Sequence, residues 1–294
     1  MRILIVGCGY LGLRAAQLWD EQGAEIVAVT RSPARAAEWS SRGWEPVVGD
    51  ITQPETLAEI KPVDFCLYAV GYDRHAEHSK RAVYIEGLRF SLQQLRHKTP
   101  RLLYISSASV YGQDDGSWVD ETSPCEPRTE SGQICLEAEH LVEAAASPEL
   151  GVMVLRLSGI YGPQRLLTRL EQLQTGAPLG GQPEAWLNLI HVDDAAAAAV
   201  QLARDWNVYG PAGPFRRYLL SDKLPVQRST FYGNLASLVG APAPQFDPQL
   251  PTRSGTTVSG KRCNSQKIRR DFAISYRFPT IQSGLPDAVH RTTT

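Results

Sequence analysis

Cysteine is scarce in this sequence and scattered where it occurs. Cys8, Cys66, Cys125, Cys135 and Cys263 make an odd set with no C-x-x-C spacing. That argues against a zinc site or a disulfide framework, and it suits a reducing compartment such as the cytoplasm. An excess of charge of one sign is also missing: 30 basic residues face 31 acidic ones, for a net charge of -1. Nothing electrostatic therefore recruits a nucleic acid or a membrane surface. No apolar run reaches membrane-spanning length; Ala195 to Ala199 sit in a short helical stretch between Asp194 and Arg204. Met1 to Val6 is too short for a secretory leader and runs into glycines. Internal repeats and low-complexity tracts are lacking too. What is left is 294 residues, 43% of them hydrophobic, enough for one large or two modest domains.

The most informative stretch is the first dozen residues. Ile3 to Val6 is a continuous apolar run suited to a strand buried on both faces of a parallel sheet. Gly7, Gly9 and Gly12 follow in G-x-G-x-x-G spacing, with Tyr10 and Leu11 between them, and Leu13 to Gln22 reads as a helix. Strand, glycine turn and helix make a dinucleotide-binding fingerprint. In it Gly7 serves the tight turn, Gly9 the approach of a pyrophosphate, and Gly12 the packing of helix on strand. The helix N-terminus would hold the phosphates.

Alternating elements continue. Strands are predicted at Ala24 to Val29, Trp44 to Val48, Asp64 to Val70, Arg101 to Ser106 and Val152 to Leu157, with helices between them. This pattern implies an α/β fold: a doubly wound parallel sheet of the Rossmann type. Arg31 stands where the second strand meets the adenosine ribose; a guanidinium there predicts NADP over NAD. Asp50, followed by Ile51, has two roles open, addressing the adenine or capping a turn before Pro54. Ala69, Val70 and Gly71 end the fourth strand and are expected under the cofactor. His75 and His78 have metal-compatible spacing but no third ligand, so no metal is expected. After Gly162-Pro163 the pattern becomes rich in Gly and Pro. The Rossmann domain is thus assigned to 1–163, with 188–222 returning to it. A smaller lobe takes 164–187 and 223–294, and its tail is expected to hold one short helix and a frayed end.

Several motifs agree in order and spacing. Besides G-C-G-Y-L-G these are I-S-S-A-S-V-Y-G (Ile105 to Gly112), L-R-L-S-G-I-Y-G-P (Leu155 to Pro163), N-L-I-H-V-D-D (Asn188 to Asp194) and L-L-S-D (Leu219 to Asp222). On them the chain resembles the extended short-chain dehydrogenase/reductases, in the NAD-dependent epimerase/dehydratase branch. The resemblance implies an NAD(P)-dependent oxidoreductase whose C-terminal lobe meets a small substrate, often nucleotide-linked. It also implies a homodimer through the helices carrying Tyr84 and Ser131. Ser107 matches the family's catalytic Ser/Thr. The family's Tyr-x-x-x-Lys pair is absent: Ser131 stands at the Tyr position and Cys135 at the Lys position. Tyr84 replaces a family asparagine ahead of Gly87. A serine hydroxyl needs a base beside it, and no His or Lys lies within one helical turn of Ser131. Cys135, Tyr84 and Tyr111 are therefore candidate proton carriers. Loss of catalysis, leaving a dinucleotide-binding sensor or partner-binding protein, is the alternative. Arg156, Tyr161 and Arg165 surround the end of the sixth strand, with Lys261 and Arg262 within reach from the tail; a cation cluster there would suit an anionic substrate, and ordinary surface arginines are the default reading.

Overall fold

The computed structural model describes residues 1–73, 77–165, 167–207, 214–250 and 259–293. Its centre is a seven-stranded sheet built from β1 (Arg2–Val6), β2 (Glu25–Thr30), β3 (Glu45–Val48), β4 (Phe65–Tyr68), β5 (Arg101–Ser107), β6 (Gly151–Leu157) and β7 (Phe215–Leu220). The strand order is β7-β6-β5-β4-β1-β2-β3. β1 pairs in parallel with both β2 and β4, placing Ile5 opposite Ala28 and Leu67. This is the predicted α/β doubly wound parallel sheet. The order reverses beside β1, so the switch point falls at the glycine turn.

Why β1 sits in the middle follows from its side chains. Ile3, Leu4 and Ile5 are fully buried, as a strand covered on both faces requires. Helices α1 (Gly12–Glu21), α2 (Pro33–Ser41), α3 (Gly87–Leu95) and α4 (Glu130–Ala145) follow β1, β2, β4 and β5. Trp19 of α1 packs against Phe65 of β4 with ring centroids 5.8 Å apart. Ile134, Ala138 and Val142 repeat at helical spacing and bury one face of α4. Ile134 and Val142 each contribute about 1.5–3 kcal/mol by leaving water, and Ala138 less.

By internal packing the chain divides into two units. The first comprises Met1–Ser107, Glu130–Arg156 and Ala196–Tyr218, and the second Ala108–Thr129, Leu157–Ala195 and Leu219–Thr294. The boundaries read from sequence differ: 108–129, 157–163, 188–195 and 219–222 pack with the second unit. That unit has its own core, in which Tyr161, Leu173, Phe231, Leu235 and Leu285 are buried. It contains α5 (Leu167–Gln174), the start of α6 (Val192–Arg204), α7 (Arg228–Leu238), α8 (Gln266–Phe272) and α9 (Ile281–Thr293). The tail therefore holds two helices, not one. α9 carries Gly284 and Pro286, which mask its helical pattern, yet Ile281, Leu285 and Ala288 are buried on one face. Gly284 is pressed against the Tyr161 ring, where a Cβ would collide.

Candidate cofactor and active site

The three glycines of the turn answer to different constraints. Gly7 has φ +93°, and a Cβ there would lie 2.5 Å from the Ala69 carbonyl carbon and the Val70 nitrogen. Any side chain is excluded on both counts. At Gly12 a Cβ would strike the Gly7 carbonyl. Gly9 is different. Its φ lies outside the left-handed region and nothing comes within 4 Å of a Cβ built on it. The protein's own packing and backbone do not demand glycine there; an open approach to the backbone does. α1 begins beside it with no side-chain cap, Leu11 being its N-cap residue, and so presents the positive end of its dipole. Leu11 is buried, while Tyr10 is half-buried under the Arg14 guanidinium, 4.3 Å from its ring. These features fit the pyrophosphate of a dinucleotide.

Arg31 is exposed immediately beyond β2, while Ser32 turns away to cap α2 by accepting from the Arg35 N–H. Asp50 accepts from the Thr52 N–H (2.9 Å) and hydroxyl (2.7 Å). Partial burial pushes its carboxyl up, but the Thr52 bonds and the charges of Arg31 and His78 outweigh it and hold the group below its usual range. The turn-capping role is thus filled. Ile51 is buried and packs on Gly87, where an added Cβ would lie 2.9 Å from its Cδ1. Ala69 and Val70 are half-buried and Gly71 is exposed with open space at its Cα. His78 Nε2 lies 3.3 Å from the Thr52 hydroxyl. His75 lies outside the described residues.

Ser107 closes β5 and is half-buried. Ser131 and Cys135 occupy the first turns of α4, Ser131 exposed and Cys135 half-buried. What sequence spacing missed is the partner of Ser131. The Lys80 ammonium donates to its hydroxyl from 51 positions away. Lys80 leads a helical stretch that is π-helical over Ala82–Glu86 before it becomes α3. Tyr84 lies in the π turn, and its hydroxyl accepts from the Tyr72 N–H at 3.1 Å. Burial pushes the Tyr84 phenol up, the nearby Cys135 adds to this, and the Tyr72 N–H opposes it. Lys80 and Tyr84 are four residues apart, as are Ser131 and Cys135, so two pairs meet across packed helices.

Arg156, placed at a substrate cleft by the sequence reading, is buried instead. Arg156 is 1% exposed and bound to Glu139, which is fully buried, by contacts of 2.6 to 3.1 Å. Ser106 donates to the same carboxylate at 2.6 Å, and Arg217 lies 3.3 Å from it. In the second unit Lys261 donates to the Tyr111 carbonyl and Arg262 to the Gly116 carbonyl. Arg165 is exposed. Asp194 accepts from the Arg277 and Phe278 N–H groups, both at 2.8 Å, and so pins the tail. His191, Asp193 and Asp287 come together, but Arg291 supplies the cation, 2.6 Å from Asp193 and 3.0 Å from Asp287.

Sheet order, glycine turn and uncapped α1 together define an NAD(P)-binding Rossmann protein. The model of the NAD-dependent epimerase/dehydratase family matches residues 3–212, and the chain belongs to that family. It is 28% identical to Protein YeeZ of Escherichia coli strain K12, over 95% of this chain and 96% of that protein. A structure from Methylobacillus flagellatus, provisionally described as an NAD-dependent epimerase/dehydratase, is 30% identical with TM-score 0.77, covering 100% of this chain and 99% of that one. UDP-glucose 4-epimerase from Bifidobacterium longum, solved with NAD+ and UDP, shares the fold at TM-score 0.80 and 16% identity, covering 100% and 98% of the two chains. Among the described residues no helix is long and apolar enough to cross a membrane.

Proposed function

We propose that the chain is an NADP-preferring oxidoreductase of the epimerase/dehydratase type, acting on a small, anionic or nucleotide-linked substrate. The observation that carries the cofactor is Gly9, a glycine that neither backbone conformation nor internal packing requires. In this reading Gly7 to Gly12 and the α1 N-terminus hold the pyrophosphate, and Arg31 pairs with the 2′-phosphate. Asp50, Ile51 and Ala69 to Gly71 border the cofactor. Ser107 hydrogen-bonds the reacting oxygen. The bound nicotinamide supplies hydride chemistry; the protein's part is to orient the substrate and handle its proton. A homodimer through α3 and α4, in a reducing cytoplasm, accompanies this reading. The second reading, a dinucleotide sensor without catalysis, draws on Ser131 and Cys135 standing in place of Tyr and Lys.

Titration with NADPH and NADH, followed by fluorescence of the bound nicotinamide, tests the first reading. NADPH should bind more tightly, and Arg31→Ala should remove the preference, about tenfold or more for a lost charge-assisted contact. Failure of the wild type to bind either nucleotide would overturn it.

A further inference from the structure

Two helices each present an i, i+4 pair to the other, and the pairing is specific. The Lys80 ammonium is hydrogen-bonded to Ser131 Oγ and lies 5.1 Å from the centroid of the Tyr84 ring. Tyr84 is itself anchored through its hydroxyl to the Tyr72 N–H, just past the end of β4. One residue beyond Lys80, Arg81 grips Glu137 of α4 with bonds of 2.6 and 2.8 Å, locking the register of the two helices. The π turn at Ala82–Glu86 interrupts the helix at this place; such insertions recur at functional sites. Both helical stretches start at the carboxyl ends of parallel strands, the edge where ligands of such sheets bind.

We propose that Lys80 and Ser131 are the proton-handling pair of this chain, with Ser131 meeting the substrate oxygen and Lys80 acting through it. The inference rests on the oxidoreductase reading above. A serine hydroxyl alone is too weak an acid or base for this work. An ammonium on its oxygen changes that, because it stabilises developing negative charge and can restore the proton. In the reducing direction the substrate carbonyl carbon gains a hydride from a dihydronicotinamide, which is oxidised. The carbonyl oxygen takes the Ser131 proton as that O–H bond breaks. Ser131 takes a proton from Lys80, and the neutral amine regains one from water. Tyr84 holds the ammonium in place by its ring face. Lys80 is a positioning residue in this scheme, with its charge next to the reacting group.

The test uses the full chain with NADPH as probe. Each lysine is labelled with trinitrobenzenesulfonate and its rate read by peptide mass spectrometry, with and without saturating NADPH. The near-ultraviolet band of bound NADPH is recorded in wild type, Lys80→Met and Lys80→Arg. Ser131→Ala should raise Lys80 labelling several-fold and leave Lys61 and Lys267 unchanged. NADPH should slow Lys80 labelling several-fold in the wild type. Lys80→Met should shift the nicotinamide band, and Lys80→Arg should restore it, a signature that loss of a merely structural contact would not move. NADPH that binds without protecting Lys80, or a band indifferent to Lys80→Met, overturns the pair alone. If NADPH does not bind at all, the cofactor reading falls, and the pair with it.

Discussion

Replacing Glu139 with Gln should unfold the first unit more readily than any nearby surface change. The substitution keeps shape and volume but removes the carboxylate charge that Arg156 binds. Arg156 is 1% exposed, so its guanidinium cannot turn to water. Its bonds to Glu139 at 2.6, 2.9 and 3.1 Å are charge-assisted, and the Ser106 hydroxyl donates to the same carboxylate, which also lies 3.3 Å from Arg217. Breaking a buried pair from one side costs about 3–5 kcal/mol, chiefly because a charge is left without compensation. At about 2–4 °C per kcal/mol this lowers the thermal midpoint by roughly 6–20 °C. The double variant Glu139→Met with Arg156→Met should recover most of the loss, because the penalty lies in the orphaned charge and not in the missing attraction. Calorimetry and urea unfolding of Glu139→Met, Arg156→Met and the double variant give the coupling directly. A Glu139→Gln unfolding free energy within about 1 kcal/mol of wild type would show that Arg156 finds other solvation, and the reasoning would fail.

Two further outcomes follow from single sites. Gly7→Ala should destabilise the fold, since φ +93° and the Ala69–Val70 backbone both oppose a side chain, whereas Gly9→Ala should leave the melting midpoint unchanged and weaken NADPH binding. Equal effects of the two on stability would remove the distinction between them. Asp222 is 2% exposed, and among the described residues neither carboxyl oxygen has a well-formed hydrogen bond. Burial, with Asp194 adding and the Leu224 N–H opposing, pushes it up to about 8. The folded state then holds a proton that the unfolded chain releases near pH ~3.9, so this group's contribution to stability is present at acid pH and is lost as pH rises towards about 8. Asp222→Asn should therefore raise the unfolding midpoint at pH ~8 and make little difference at pH ~4. A gain that is the same at both pH values would refute the assignment.

What could be read from the chain was what is local in it. β1, the glycine turn and α1 are contiguous, and their geometry is set by apolar run, glycine spacing and helix start over a dozen residues. The sheet followed for the same reason, since each strand announces itself as a short apolar run. The α9 helix was hidden because Gly284 and Pro286 disfavour helix locally, and burial of Ile281, Leu285 and Ala288 overrides them. Arg156 was misread because sequence shows its charge but not its burial against Glu139. The partner of Ser131 is beyond reach of spacing arguments: Lys80 is 51 residues away, and only the packing of the helical stretch before α3 against α4 sets its amine on that hydroxyl. The fold and the glycine turn are legible in the chain, because backbone conformation and hydrophobic period are encoded residue by residue. Which charges are buried, paired or left to meet a ligand was decided only by tertiary structure, because electrostatic roles depend on distance and solvation between side chains that the chain order keeps apart.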